Sequence, residues 1–410
     1  MTLRADCDAI IAHAIQQVQP DEAVRRALAG RDLGGGRLIL VSVGKAAWSM
    51  ARAAMDCLPG RPDAGIVITK YGHAKGAVGE LEIREAGHPV PDGNSFSATH
   101  RALELTAGLS REDVVLFLLS GGGSALFERP LLPEGELQDV TGQLLACGAD
   151  IVEMNTIRKR LSGVKGGRFA QHCAPARVVC VVLSDIIGDP LDMIASGPAY
   201  PDGSTCRDAL GIVEKYGLRL TEQARQLLAQ ETPKRLDNAQ SVVTGSVRTL
   251  CRATAEACRA LGYAPQILTD CLTCQAREAG GFLASIARTH QDAGRSLAFL
   301  AGGETVVRLT GGGLGGRNQE LALSAAEGIA GLAGTAVFSV GSDGTDGPTD
   351  AAGGFVTGET RNLLAAEGIE IHRVLRNNDA YHALARCGGL IQTGPTGTNV
   401  NDIAAVLIRR

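Results

Sequence analysis

One pattern recurs along this 410-residue chain: a short apolar run, then a turn rich in glycine or serine, then an alanine- and leucine-rich stretch of helical length. The runs Leu38–Val43, Val114–Leu119 and Val178–Leu183 are apolar at nearly every position, so both faces of each strand should be buried. Strands of this kind that alternate with helices are typical of parallel sheets covered on both sides. The pattern therefore predicts an α/β fold.

The same scheme starts again at Ser241–Thr244 and continues through Thr335–Val340, after the polar segment Thr221–Ala239. At about 150 residues per domain, the length fits two domains. We expect residues 1–238 to form an N-terminal Rossmann-like α/β domain and residues 239–410 to form a C-terminal α/β domain. Each should hold a mostly parallel sheet flanked by helices. Because both halves carry glycine-rich turns, the active site is expected in the cleft between the domains.

Composition narrows the function classes. Glycine accounts for 53 residues and lies in clusters without a fixed period, which excludes collagen. The net charge of −4 attracts neither nucleic acid nor an acidic membrane, and no apolar stretch is long enough to span a bilayer. Eleven cysteines and an N-terminus without a secretion signal favour reduced thiols in a cytoplasmic protein. We expect a small-molecule substrate and a monomer or homodimer.

Two glycine clusters are candidate phosphate-binding turns. The first follows a predicted strand and comprises Ser120, Gly121, Gly122, Gly123 and Ser124. Glycine lets the backbone approach a phosphate closely, and the start of the next helix offers free N–H groups. The second, Lys165-Gly166-Gly167, lies in the basic stretch Asn155–Arg168, whose cations suit triphosphate oxygens. The alternatives are a plain strand-to-helix turn for the first cluster and a solvated helix face for the basic stretch.

Charged residues also follow the predicted strands. The carboxylates there are Asp185, Asp189, Glu304 and Asp343. Carboxylates near a phosphate loop are the ligands expected for Mg²⁺, although any single aspartate has the alternative of bonding its own turn backbone. Lys45 and Arg317 are isolated cations after a strand and a glycine turn. Cations in such places can anchor a carboxylate or stabilise a transferring phosphoryl group.

The sequence also contains an incomplete form of the glycine motif that binds dinucleotides. Gly311, Gly313 and Gly316 match G-x-G-x-x-G between a predicted strand at Val306–Leu309 and a predicted helix. The acidic residue expected about 20 positions further on is misplaced. The first acid after the next strand is Asp343, 27 residues after Gly316.

Ten segments together resemble the class II glycerate kinases, in which an N-terminal α/β domain is joined to a C-terminal domain of the MOFRL type. They are VSVGKAA (41–47), EAGHPVPDGNS (85–95), SGGGSALF (120–127), NTIRKRLSGVKGGR (155–168), LSDIIGDP (183–190), SGPAYPD (196–202), GGETVV (302–307), GGRNQELAL (315–323), SDGTDGPTDAAG (342–353) and TGPTGTNVND (393–402). The resemblance implies ATP-dependent phosphorylation of D-glycerate at the 2-hydroxyl, giving 2-phospho-D-glycerate, with Mg²⁺ or a similar ion. It also implies that Lys45 and Arg317 are active-site residues.

The remaining roles are inferred from turn chemistry. Asp185 or Asp343 should orient the attacking hydroxyl, and Asp189 or Glu304 should hold Mg²⁺. The two glycine clusters should bind the phosphates of ATP. Three alternatives stay open: phosphorylation at the 3-position, an NAD(P)H-dependent hydroxypyruvate reductase that uses the G-x-G-x-x-G segment, and a nucleotide sensor without catalysis.

Overall fold

The computed structural model describes residues 2–58, 60 and 62–410 of the chain, which divides into two compact units. The first unit comprises Ala23–Leu183 and Asp189–Thr244, and the second comprises Met1–Glu22, Ser184–Gly188 and Gly245–Arg410. Within the described residues, no helix has both the length and the apolar character needed to cross a membrane.

Regular structure alternates along the chain, as the sequence pattern predicts. The α-helices of the described residues are α1 Leu3–Gln17, α2 Pro20–Leu28, α3 Ala47–Cys57, α4 Gly93–Leu105, α5 Gly123–Leu126, α6 Glu134–Ala146, α7 Ile151–Arg160, α8 Arg168–Cys173, α9 Cys206–Tyr216, α10 Glu222–Leu228, α11 Val247–Ala260, α12 Ala276–Thr289, α13 Arg317–Gly328, α14 Thr360–Ala366, α15 Ile371–Arg376 and α16 Ala380–Arg386. The strands are β1 Leu38–Val43, β2 Ala64–Lys70, β3 Glu82–Ala86, β4 Val114–Leu119, β5 Arg177–Leu183, β6 Ala239–Gly245, β7 Ala264–Leu272, β8 Leu297–Gly303, β9 Thr335–Gly341, β10 Gly353–Thr357, β11 Leu390–Ile391 and β12 Asp402–Ile408.

The first unit is built on a six-stranded sheet in the order β3-β2-β1-β4-β5-β6. The pairs β3/β2, β2/β1, β1/β4 and β4/β5 are parallel. Every residue of β1 and β4 is buried, which explains why their sequences are apolar without alternation. The strand order reverses between β1 and β4. The turns after these two strands therefore flank the switch point, where open α/β sheets bind their ligands.

The second unit has its own six-stranded sheet in the order β11-β10-β9-β12-β8-β7. Four of its strands point in one direction, whereas β10 and β12 point in the other. Only β7 and β8 are parallel neighbours, because β12, the last strand of the chain, lies between β8 and β9 and is antiparallel to both. Both sheets were expected to be mostly parallel. In the first sheet neighbouring strands do pair in parallel, whereas in the second most strands point the same way but most neighbours are antiparallel.

The units also divide the chain differently from the expected boundary at 238/239. β6, expected in the second domain, is an edge strand of the first sheet beside β5. α1, expected in the N-terminal domain, belongs to the second unit, where it packs on α11 and buries Ile10 and Ile11. The strand predicted at Val306–Leu309 is irregular, with a single bridge to Gln275. Its apolar side chains are largely exposed, so no sheet packing holds it extended.

Candidate active site

The turns that follow β1 and β4 meet at the switch point of the first sheet. The amide of Lys45 donates to the carbonyl of Gly121 at 2.8 Å, and the amide of Ala46 donates to the hydroxyl of Ser120 at 3.1 Å. Gly44 has a φ of 125°, and a Cβ there would lie 2.2 Å from the Ser120 hydroxyl oxygen. The close approach of the turns therefore requires glycine at 44. It also uses the buried Ser120, expected to bind nucleotide, as an internal contact.

The next four residues, Gly121–Ser124, form a glycine loop in which Gly123 is buried and the other three residues are partly exposed. Within the described residues, none of the four amide groups of this loop donates to a protein acceptor. Gly122 has a φ of 89°, and a Cβ on it would lie 3.0 Å from the imidazole of His88. Gly123 and Ser124 are also the first two residues of α5, which has only four residues. Binding of an anion here would therefore rest on the free amides more than on a helix dipole.

Basic side chains surround Lys45 at this edge of the sheet. The carbonyl oxygen of Lys45 lies 3.1 Å from Nδ1 of His73. Burial lowers the pKa of His88, and the charge of Lys45 lowers it further. Lys70 and His73 act on His88 in the same direction. The glycine loop thus lies beside a local excess of positive charge, which suits a phosphate or a carboxylate.

The second glycine cluster, Lys165–Gly167, is a buried structural turn. Nζ of Lys165 lies 2.6 Å from Oε2 of Glu128 and 3.0 Å from the carbonyl oxygen of Phe127. Burial lowers the pKa of this lysine to about 8, and Glu128 only partly offsets that effect. The amides of Gly166 and Gly167 donate to carbonyls of a neighbouring turn. None of these groups is free to bind the phosphates of ATP, contrary to the expectation from sequence.

Most of the basic stretch around Lys165 is neutralised inside the first unit, so it is not a solvated helix face. Three more of its cations have protein partners there: Lys159, Arg160 and Arg168. Arg158 differs from them. It is half-buried, and within the described residues no carboxylate lies within ion-pair distance of its guanidinium. Its Nη2 lies 3.4 Å from the carbonyl oxygen of Ser124, in the glycine loop.

A strained turn, residues 189–197, lies beside the glycine loop. Asp189, Ala195 and Ser196 have positive φ values of 52°, 50° and 62°, which residues other than glycine rarely adopt. The hydroxyl of Ser196 lies 3.2 Å from that of Ser124. Oδ1 of Asp189 is buried and accepts no hydrogen bond within the described residues. Backbone strain and an unsatisfied carboxylate oxygen together are features of ligand sites.

In the second unit, Arg317 is the first residue of α13 and is held by two carboxylates. Its Nε and Nη2 donate to the two oxygens of Asp402 at 2.5 and 3.0 Å, and its Nη1 lies 3.1 Å from Oε1 of Glu304. Oε2 of Glu304 accepts from Nδ2 of Asn401 at 3.1 Å. Burial works to lower the pKa of Arg317, but the hydrogen bonds and charge of Asp402, with Glu304, raise it overall. Both oxygens of Glu304, an expected Mg²⁺ ligand, therefore already have protein partners.

The other two acidic candidates in the second unit lie near the same residues. The backbone carbonyl of Asp185 accepts from Nδ2 of Asn401 at 3.0 Å. Oδ1 of Asp343 accepts from the amide of Thr345 at 2.9 Å, so this carboxylate bonds its own turn. Asn401 has a φ of 66°, and its Oδ1 is buried without a partner among the described residues. Asn401, a residue with a strained backbone, thus connects the segments that contain Asp185 and Glu304.

Comparison with known proteins decides the family. Residues 6–229 match the model of a domain of unknown function (DUF4147), and residues 297–402 match the MOFRL family. A D-glycerate 2-kinase of Thermotoga maritima is 51% identical, over 97% of this chain and 97% of its own. A crystal structure of glycerate kinase from Thermotoga maritima matches 99% of both chains, with a TM-score of 0.95 and 50% identity. The chain belongs to the glycerate kinase family.

One relative carries a different name. A protein of Agrobacterium vitis called a putative hydroxypyruvate reductase is 40% identical, over 99% of this chain and 94% of its own. In this member of the glycerate kinase family, however, the first two glycines of the G-x-G-x-x-G segment donate their amides within the protein. The amide of Gly311 donates to Oδ1 of Asn378 at 3.0 Å, and that of Gly313 donates to the carbonyl of Asn377 at 2.9 Å. Residues 304–310, directly before the segment, form no regular strand, so the context that the motif requires is missing.

A metal ion is expected alongside ATP in a glycerate kinase. The described residues contain no group of three or more His, Cys, Asp or Glu side chains arranged to hold one. Mg²⁺ in phosphoryl-transfer sites is usually bound by one or two carboxylates together with substrate phosphates, so a complete protein cage is not required. The unsatisfied Oδ1 of Asp189 fits that chemistry, whereas Glu304 is engaged by Arg317 and Asn401.

Four residues that lie at these sites are not among the individual site residues predicted from the sequence: His88, Arg158, Asn401 and Asp402. Asp402 had a usable signal, since it begins the apolar run of β12 just as the other candidate acids border a strand. Arg158 was covered only by the basic stretch as a whole, because its sequence neighbours are equally basic and only the fold shows which of them are paired.

Proposed function

We propose that this chain transfers the γ-phosphoryl group of ATP to the 2-hydroxyl of D-glycerate, giving 2-phospho-D-glycerate and ADP. The observation that carries the proposal is the switch point of the first sheet. There Lys45 lies beside the glycine loop, whose four amides donate to no protein acceptor among the described residues. The name of the Thermotoga maritima relative, D-glycerate 2-kinase, supports the choice of substrate and of the hydroxyl group.

Phosphoryl transfer needs mainly orientation and charge stabilisation, because little covalent chemistry falls to the protein. The glycine loop and Lys45 bind phosphate oxygens and neutralise their charge. Arg317 uses three of its five N–H donors on Asp402 and Glu304, which leaves two for the carboxylate of glycerate or for the transferring phosphoryl group. Its bidentate pair with Asp402 holds the guanidinium in place before the substrates bind.

The attacking hydroxyl requires an acceptor for its proton, and the proposal keeps Asp185 and Asp343 as the two candidates. For the divalent ion that accompanies ATP, Asp189 is the protein ligand, since its Oδ1 lacks any other partner among the described residues. When bound, such an ion neutralises charge on the phosphates. The placement of the active site in a cleft between the domains stays a prediction.

Two substitutions test the proposal. Lys45→Met and Arg317→Gln should each lower kcat/KM for D-glycerate about 10²- to 10³-fold, the usual effect of removing one group that stabilises developing charge. Lys75→Met and Arg361→Gln, which change exposed residues of the same types, serve as matched controls and should keep normal rates. A coupled assay for ADP measures the rate.

The product and the cofactor decide between this function and its alternatives. ³¹P NMR of the product from ATP and D-glycerate should show 2-phosphoglycerate, and a 3-phosphoglycerate signal would correct the position. Oxidation of NADH by hydroxypyruvate in the absence of ATP would contradict the proposal and favour a reductase. Normal turnover by both folded variants would remove Lys45 and Arg317 from the mechanism.

A further inference from the structure

Arg158 is a half-buried cation whose charge the fold does not neutralise. Its guanidinium has no ion-pair partner within the described residues. Burial lowers the pKa of Arg158, and the charge of Glu128 opposes that effect only in part. Glu128 is itself bonded to Lys165 at 2.6 Å, so this cluster contains two cations and one anion. An uncompensated charge away from water is costly, and a fold that keeps one needs a reason.

The neighbouring cations show that the fold can supply partners where a cation has only a structural role. Nζ of Lys159 lies 3.1 Å from carboxylate oxygens of both Asp192 and Asp202. Nη1 of Arg168 donates to the carbonyls of Lys159 and of Ser162, at 2.6 and 2.7 Å. Beside these contacts, the single 3.4 Å approach of Arg158 to a carbonyl is weak.

The position of Arg158 is set by its own helix and by the strained turn. Asn155 lies three residues earlier on α7 and therefore on the same face of the helix. Its Oδ1 accepts from the hydroxyl of Ser196 at 2.7 Å, and that hydroxyl lies 3.2 Å from the hydroxyl of Ser124. A chain of side-chain hydrogen bonds thus fixes this face of α7 against the glycine loop. Arg158 is held beside the loop and makes only a long contact with it, the 3.4 Å approach to the carbonyl oxygen of Ser124.

We infer that Arg158 is a phosphate-binding residue, and that its guanidinium and the amides of Gly121–Ser124 together bind the phosphoanhydride of a nucleotide. The identity of the nucleotide as ATP rests on the proposed function. The planar fork of arginine can contact two oxygens of one phosphate, while the loop amides contact others. The bound anion would pair with the guanidinium of Arg158, which has no carboxylate partner among the described residues. The positive charge of Arg158 is therefore unfavourable in the free protein and favourable in the complex.

The test uses Arg158→Gln in the full-length protein, because glutamine removes the charge but keeps a donor for the Ser124 carbonyl. Arg207→Gln, on the exposed face of α9 in the same unit, is the matched control. Inorganic pyrophosphate is the probe, and thermal unfolding is the first readout. Pyrophosphate should raise the Tm of the wild type and of Arg207→Gln but not that of Arg158→Gln. Without ligand, Arg158→Gln should have a Tm equal to or above that of the wild type.

Steady-state kinetics supply the second readout. The KM for ATP should rise about 10- to 100-fold in Arg158→Gln, as expected for the loss of a charge-assisted contact, whereas the KM for D-glycerate should change little. Arg158→Lys should recover part of the loss, since it restores the charge without the fork.

Three results would overturn the inference: an unchanged pyrophosphate effect in Arg158→Gln, a lower Tm of the ligand-free variant, or a rise confined to the KM for D-glycerate. Stabilisation of the wild type by D-glycerate but not by pyrophosphate would overturn it as well. The failure of the proposed function would look different. In that case the wild type would still bind pyrophosphate through Arg158 but would not phosphorylate D-glycerate.

Discussion

At the scale of single residues, His88 reports on the electrostatics of the switch point. Burial lowers its pKa, and the charge of Lys45 is the next largest cause. Lys45→Met should therefore raise the pKa of His88 toward its ordinary value, although burial will keep it below that value. An NMR titration of the imidazole measures the change, with Lys75→Met as the control for an exposed lysine. Equal pKa values of His88 in the wild type and Lys45→Met would show that the lysine charge does not act at the glycine loop.

Sequence alone could show where the glycine-rich turns follow strands but not which side chains in them are free. Lys165 stands next to two glycines, as a phosphate-binding lysine would, yet its partner Glu128 lies 37 residues earlier and the pair is buried. Arg158 looks less distinctive, yet among the described residues no carboxylate pairs with it. Pairing depends on contacts between distant segments, and a spacing rule contains no information about them. Gly44 shows the same limit, because a Cβ at this position would clash with Ser120, which lies in the turn after another strand.

At the scale of elements, the start of α13 depends on a residue outside the helix. Gly316 offers no side-chain cap, and Asp346 accepts instead from the amides of Asn318 at 3.1 Å and Gln319 at 2.8 Å. Burial raises the pKa of Asp346 to about 6, from an ordinary value of 3.8. Asp346 therefore binds its proton more tightly in the native state than in the unfolded chain. The stability that protonated Asp346 contributes is fully present below pH 3.8 and is lost as the pH rises through 6.

Denaturant titrations of the wild type and Asp346→Asn at several pH values between 4 and 7 test this prediction. The free energy of unfolding of the wild type, relative to the variant, should fall by up to about 3 kcal/mol across that range. Because Arg317 is the first residue of the same helix, the variant should also lower kcat. A stability difference that does not change with pH would show that Asp346 is already ionised at pH 4.

The same scale shows how far strand prediction reaches. The apolar runs of β1, β4 and β9 identified strands correctly, because full burial leaves a continuous apolar signal. Strand direction was out of reach, since an apolar run reads alike in either direction. β12 decides the second sheet, and its position between β8 and β9 depends on pairing with residues about 60 to 110 positions earlier.

At the scale of the whole molecule, the chain passes between its two units several times, which a single boundary could not describe. The second unit joins α1 to residues that lie more than 220 positions later. Asp6 on α1 accepts from the hydroxyl of Tyr263 at 2.6 Å and from Nη1 of Arg409 at 2.7 Å. The MOFRL match covers residues 297–402, whereas the sheet of this unit also contains β7, which begins at residue 264. The unit that folds is therefore larger than the segment that the MOFRL match covers.

A pair of substitutions in α1 tests that division. Ile10 is fully buried and Gln16 is exposed on the same helix. Ile10→Ala should lower the free energy of unfolding of the second unit by about 2 to 5 kcal/mol, because it leaves a cavity where the helix packs. Gln16→Ala should change it by no more than about 0.5 kcal/mol. Native-state hydrogen exchange should show faster exchange for amides of α11 in Ile10→Ala, far from the substitution in sequence. If faster exchange were confined instead to residues 23–58, which follow α1 directly in the chain, α1 would belong with the first unit.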